Sequence, residues 1–110
     1  MKRICLLDLN YTLVSNQAET RLLRPFTRRM AAEEYRQDLL AVIEDDYVIL
    51  ITARPAYQEQ QTLANIKHKC GWLPQEWYFN DLDAEPPQFK QSALQRFVFP
   101  RHGAECGLYY

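Results

Sequence analysis

The chain has three glycines, Gly71, Gly103 and Gly107, and they form no glycine-rich loop. A P-loop and a dinucleotide fingerprint are therefore excluded. Cysteine is as scarce. Cys5, Cys70 and Cys106 are odd in number, far apart, and in no Cys-x-x-Cys arrangement. That disfavours a disulfide framework and a zinc site and makes a reducing cytoplasm the default expectation. Neither sign of charge dominates. Thirteen Lys and Arg face fourteen Asp and Glu, a formal net charge of −1. The whole-molecule field thus argues for neither nucleic acid nor membrane. Long apolar runs are missing too. Met1-Lys2-Arg3 is basic, but the apolar run after it stops at Asp8. That is too short for a signal peptide, and nothing approaches a membrane span.

What remains is the make-up of an ordinary globular domain. The 110 residues suit one domain. The 47% hydrophobic and 25% charged content is enough for a packed core under a solvated surface. No internal repeat or low-complexity tract is visible.

Ile4 to Leu7 is apolar without alternation, as in a strand buried on both faces of a parallel sheet. Asp8 ends it. Open α/β sheets bind their ligands at the carboxyl ends of strands, and an unpaired buried carboxylate costs several kcal/mol, about 2–7 on polar-group scales and more for a charge. Asp8 is therefore a candidate functional residue. A turn cap shared with Asn10 is the alternative.

Val14 to Arg24 is polar and aperiodic and reads as a loop. Pro25 and Thr27 suit a helix start. From Arg28 to Glu44, Tyr35, Leu39, Val42 and Ile43 recur at helical spacing, which predicts one amphipathic helix. Arg21, Arg24, Arg28 and Arg29 read as solvated surface cations, or as a basic rim for an anionic substrate. Glu44-Asp45-Asp46 is an acidic turn.

Tyr47 to Thr52 is rich in β-branched residues and predicts a second buried parallel strand ending in Thr52, followed by Ala53, Arg54 and Pro55. Pro55 suits the first turn of a helix running to about Cys70, with Leu63, Ile66 and Cys70 inward and Gly71 closing it. Lys67, His68 and Lys69 near its end favour the helix dipole. Glu76 to Phe79 predicts a third strand, ending in Asn80-Asp81. Asp83 to Pro87 is a loop. Gln88 to Val98 predicts a further helix, with Phe89, Ala93, Phe97 and Val98 inward and Pro100 ending it. Lys90 falls in its first turn, where a cation opposes the dipole unless an anion shares the site. Gly107 to Tyr110 opens a fourth strand. The chain stops there, inside the strand, so a fragment of a longer protein is expected, or a site that a partner completes.

Alternating strands and helices predict a parallel sheet with helices on both faces. Right-handed crossovers bring Asp8, Thr52 and the loop after Phe79 to one edge. An aspartate, a hydroxyl and a lysine there suit phosphoryl transfer, with the carboxylate as nucleophile or metal ligand and the lysine offsetting charge. Two facing carboxylates for a glycosidase are not evident. No serine sits on a strand-to-helix elbow with a histidine partner, so acyl hydrolysis is not favoured.

Asp8-Leu9-Asn10-Tyr11-Thr12-Leu13 resembles the first motif of the haloacid dehalogenase (HAD) superfamily, Asp-x-Asp-x-Thr. Ile49 to Arg54 resembles the second, a strand ending in Thr or Ser. Lys90, with Leu94 after it, resembles the third. The resemblance spans nearly the whole chain. It implies a three-layer Rossmann-like sheet without a large cap domain, because the segment between Thr12 and Tyr47 is short. It implies a Mg²⁺-dependent phosphohydrolase. Asp8 is the expected nucleophile, and Asp8 with the Asn10 main-chain carbonyl the expected metal ligands. Thr52, Ala53, Arg54 and Lys90 are the expected substrate contacts. The implied substrate is a phosphorylated small molecule or a nucleic-acid end, since the Thr-Ala-Arg stretch is also similar to the 3′-phosphatase domain of phage polynucleotide kinases.

Two positions depart from the pattern. Asn10 stands where the family has the Asp that protonates the leaving oxygen, and an amide does not exchange a proton at neutral pH. General acid–base help is worth about 10²–10⁴-fold, so slow turnover or none is expected, and a catalytically inactive binding or regulatory module is the alternative. Tyr11 also replaces a frequent glycine. The fourth motif, an acid after the fourth strand, is not in the sequence. Asp81 and Asp83 follow the third strand and do not take its role.

Overall fold

The computed structural model describes residues 4–102 and 108–109. Four parallel strands, β1 (Ile4–Leu7), β2 (Tyr47–Pro55), β3 (Glu76–Asn80) and β4 (Leu108–Tyr109), form one sheet in the order β3-β2-β1-β4. β1 pairs with β2 from Ile4↔Tyr47 to Leu7↔Leu50. The expected apolar strands are therefore where their composition puts them. Alternate residues feed two cores. Cys5, Leu7, Val48 and Leu50 pack on one face with Leu39, Leu40, Ile43 and Ile66. Leu6, Ile49 and Ile51 pack on the other with Phe89, Ala93 and Val98.

The first face is covered by α3 (Gln37–Ile43) and α4 (Glu59–Cys70), the second by α5 (Pro86–Ala93) and the turn 94–98. Gly71 ends α4 at φ 65°, the left-handed cap that glycine takes at least cost. The helix starts later than Pro55, after a 3₁₀ turn over 56–58. β2 itself runs past Thr52 to Pro55, because it keeps pairing with β3 through a register shift between Ile51 and Pro55.

The single helix expected over Arg28–Glu44 is two helices, α2 (Phe26–Ala32) and α3. The break is made by pairing with the segment after β1. Val14 and Tyr35 form an antiparallel bridge, Ser15 N donates to Glu34 O at 2.8 Å, and Arg36 N to Leu13 O at 2.8 Å. Asn16 seals it, donating to Ala32 O at 2.9 Å and accepting from Glu34 N at 2.8 Å. The expected loop Val14–Arg24 is thus partly structural. It carries a short helix, α1 (Gln17–Thr20), with Gln17 and Thr20 buried.

Lys69 does not serve its own helix end. Its ammonium crosses to the carbonyls that end α2, Met30 O at 3.2 Å, Ala31 O at 2.8 Å, and Glu33 O. Pro100 does not stop the last helix either. A wide turn over Leu94–Val98 shifts the hydrogen-bond register, and α6 (Phe99–His102) continues through it. Pro100 falls in the first turn of that new segment, where its missing N–H is no loss.

Candidate active site

The turn after β1 follows directly from its alternation. Leu9 and Leu13 are fully buried and pull the turn 9–13 onto the core, while Asp8, Asn10 and Thr12 keep part of their surface. Asp8 lies in extended conformation at the strand end and its Oδ1 accepts from Leu9 N at 2.8 Å. Asp8 thus caps the turn through Leu9 N and not together with Asn10, whose oxygen accepts from Arg54, and the cap occupies one Asp8 oxygen. The other, Oδ2, lies 3.0 Å from Lys90 Nζ, with 32% of the Asp8 side chain and 35% of the Lys90 side chain exposed. Lys90 reaches it from α5 because Phe89 and Ala93 anchor that helix on the sheet. The pair lines a cavity of about 300 Å³ with Thr12 and the apolar Leu6, Ile51 and Leu94.

Ala53 is half-buried and lines a neighbouring cleft of about 550 Å³ with Tyr57, Asn80, Asp81 and Asp83. Thr52 and Arg54 line neither. Thr52 has no exposed surface, and its hydroxyl accepts from Arg54 N at 3.2 Å. The expected substrate contact through Arg54 is not what the structure shows. Arg54 is 3% exposed and its guanidinium turns inward. It pairs with buried Glu33, donates to Thr62 Oγ1 at 3.3 Å, and donates through Nε to Asn10 Oδ1 at 3.0 Å. The Phe26 ring lies 5.7 Å from it. A buried guanidinium keeps its charge only with such partners, which is why it faces Glu33 and not solvent.

Glu33 is the residue that the sequence did not mark. No periodicity distinguishes it from Glu34, which is exposed. Its Oε2 also lies 3.5 Å from Arg29 Nε. Burial, then the neighbouring Arg54, holds the Arg29 guanidinium below its usual range, against the pull of Glu33. Arg29 is half-buried beside this pair. Arg21, Arg24 and Arg28 are exposed, and Arg24 donates to nearby carbonyls, of Arg21 at 3.1 Å and Leu23 at 2.9 Å.

For a divalent cation the donor set is small. Among the described residues no three His, Cys, Asp or Glu side chains gather. Mg²⁺ needs no such cage, since it commonly takes one or two carboxylates with substrate phosphates and water. By donor type a carboxylate such as Asp8 and a main-chain carbonyl such as that of Asn10 suit that minimal role. No family model, no curated protein and no solved structure matches the chain. Among the described residues no helix is long and apolar enough to cross a membrane.

Proposed function

We propose that the chain is a Mg²⁺-dependent phosphohydrolase of the HAD type, on a three-layer Rossmann-like sheet without a large cap. The observation that carries this reading is Lys90 Nζ at 3.0 Å from Asp8 Oδ2, at the carboxyl end of an internal parallel strand. The substrate class is a phosphate monoester, on a small molecule or a nucleic-acid end.

In this reading an Asp8 oxygen attacks phosphorus, the bond from phosphorus to the ester oxygen breaks, and an aspartyl-phosphate forms. Water then attacks phosphorus, and the bond to Asp8 breaks to release phosphate. Lys90 offsets the charge on the phosphoryl oxygens. Mg²⁺, held by Asp8 and the Asn10 carbonyl, would add to that neutralisation. Arg54 supports the turn from behind through Asn10, and Thr52 accepts from the Arg54 main-chain N–H. Asn10 gives the ester oxygen no proton, so leaving groups stable as anions are favoured.

The same residue favours a second reading, a phosphate-binding or regulatory module without turnover. Aspartyl-phosphate trapping tests the first. The protein is incubated with Mg²⁺ and beryllium fluoride, or with an acyl phosphate donor. Thermal shift and intact mass are read for the parent and Asp8→Asn. A Mg²⁺-dependent shift or adduct that Asp8→Asn loses supports the nucleophile. Neither, in a folded protein, removes the enzyme reading.

A further inference from the structure

The arginines of the 21–29 stretch take no part in the chemistry at Asp8. From Arg21 to Ala32 the chain holds four arginines and no acid. Arg29 is half-buried and has Glu33 beside it. Arg21, Arg24 and Arg28 are exposed, and among the described residues none of them makes an ion pair. Fold stability does not account for them. Arg28 stands in the first turn of α2, where the helix dipole opposes a cation. Burial, then Arg54 and last Arg24, hold the Arg29 guanidinium below its usual range, so Arg24 is near enough to repel it. Like charges gather here, and their neutralisation is left to ions from solvent.

The stretch is pinned at the carboxyl edge of the sheet. The Phe26 ring lies 5.7 Å from the Arg54 guanidinium and 5.9 Å from that of Arg29. Arg54 is next to last in β2, and its Nε donates to Asn10 in the turn 9–13 at 3.0 Å. Through Asn65, which donates to Met30 O at 2.9 Å, α2 packs on α4 and so on the first face of the sheet. Lys90 comes from α5 on the second face. The arginines and the Asp8–Lys90 pair therefore flank one edge from opposite faces, with the turn 9–13 between them. A lone phosphate held at Asp8 leaves the arginines unmatched. A chain that repeats its phosphates matches both.

We propose that the exposed face of Arg21, Arg24 and Arg28 binds the backbone of a single-stranded nucleic acid whose phosphorylated end lies at Asp8 and Lys90. The inference rests on the phosphohydrolase reading and narrows its substrate class to a nucleic-acid end. Strand phosphates displace the solvent ions that neutralise the arginines, and guanidinium planes also stack on bases, which an acidic peptide lacks. The strand must bend over the turn to pass from one face to the other. A single strand does so; a duplex, stiff over about 150 base pairs, does not.

The test is fluorescence anisotropy of the full chain with an internally labelled oligodeoxythymidylate, phosphorylated at neither end, the 5′ end or the 3′ end, over a range of salt. One phosphorylated form is expected to bind more tightly than the bare strand, and Lys90→Met to lose that difference. Arg24→Gln and Arg28→Gln are each expected to weaken binding of every form. Each should lower the slope of log affinity on log salt by about 0.7, the share of one phosphate contact on a single strand. Both side chains are exposed, so the variants are expected to fold. Arg101→Gln removes the same charge beside Glu76, at the far end of the sheet, and is expected to bind like the parent. Equal binding by Arg24→Gln, Arg28→Gln and Arg101→Gln overturns the inference. So does a poly-glutamate peptide that binds as tightly as the oligonucleotide, or a terminal phosphate that adds nothing. In each case a Mg²⁺-dependent beryllium fluoride shift that Asp8→Asn loses leaves the phosphohydrolase reading standing. No such shift in a folded chain removes that reading, and the delivery of a strand end with it.

Discussion

Lys90 and Asp8 come from opposite ends of the chain and meet at 3.0 Å with about a third of each side chain open to solvent. A pair this exposed contributes little to stability, about 0–1 kcal/mol. Lys90→Met is therefore expected to leave the urea midpoint nearly unchanged while greatly weakening binding of beryllium fluoride or phosphate. A large fall in stability with binding retained would show that the pair is structural.

Restoring the acid is the most direct gain-of-function test. Asn10→Asp is expected to raise hydrolysis of an alkyl phosphate by about 10²–10⁴-fold, the usual worth of general acid–base help. A smaller gain is expected on aryl phosphates, whose leaving groups need no proton. No gain on any phosphate ester would count against the enzyme.

Glu33 is expected to be among the least replaceable side chains. Glu33→Ala leaves Arg54 buried without its anion, and breaking a buried pair costs about 3–5 kcal/mol. Urea unfolding at neutral pH reads this. A loss under about 1 kcal/mol would mean that water reaches Arg54.

Glu76 lies at the other end of the sheet. Burial acts to raise its pKa, but hydrogen bonds from Tyr47 at 2.7 Å, His102 at 2.9 Å and Tyr78 at 3.1 Å outweigh it and hold it below the usual carboxylate range. A depressed folded-state pKa stabilises the fold above the unfolded-state value, and that contribution is lost as pH falls through the folded one. Stability should thus decline between about pH 5 and the lower folded-state pKa. Glu76→Gln should flatten that acid limb of a urea-midpoint profile. An unchanged limb would assign it to other carboxylates.

The sheet was legible because its signal is local. Continuous apolar runs at Ile4–Leu7 and Tyr47–Thr52 mark buried parallel strands, and Gly71 marks a helix end by its own conformational freedom. Asp8 stood out as a carboxylate closing an apolar run. Its partner Lys90 was marked as a cation in a first helical turn, but α5 begins at Pro86 and Lys90 lies in its last turn. The rest depended on contacts far apart in sequence. The helix break at 33–36 exists because Val14 pairs with Tyr35, and Lys69 looked like a cap for its own helix until α2 was seen beside it. Arg54 was placed beyond its strand and toward a substrate, whereas it lies on β2 and turns inward, because its direction is set by Glu33, which no pattern identifies.

The strand that carries Asp8 is flanked by β2 on one side and β4 on the other. During synthesis β1 leaves the ribosome before the other described strands. β2 gives it one neighbour early, while β4, at Leu108–Tyr109, is the last described strand to emerge. Until then one edge of β1, with its unpaired N–H and C=O groups, stays open to any other extended chain nearby. Asp8 therefore rides on the strand that waits longest for its second neighbour, and a ribosome paused before that point would hold a nascent chain with its central edge unguarded.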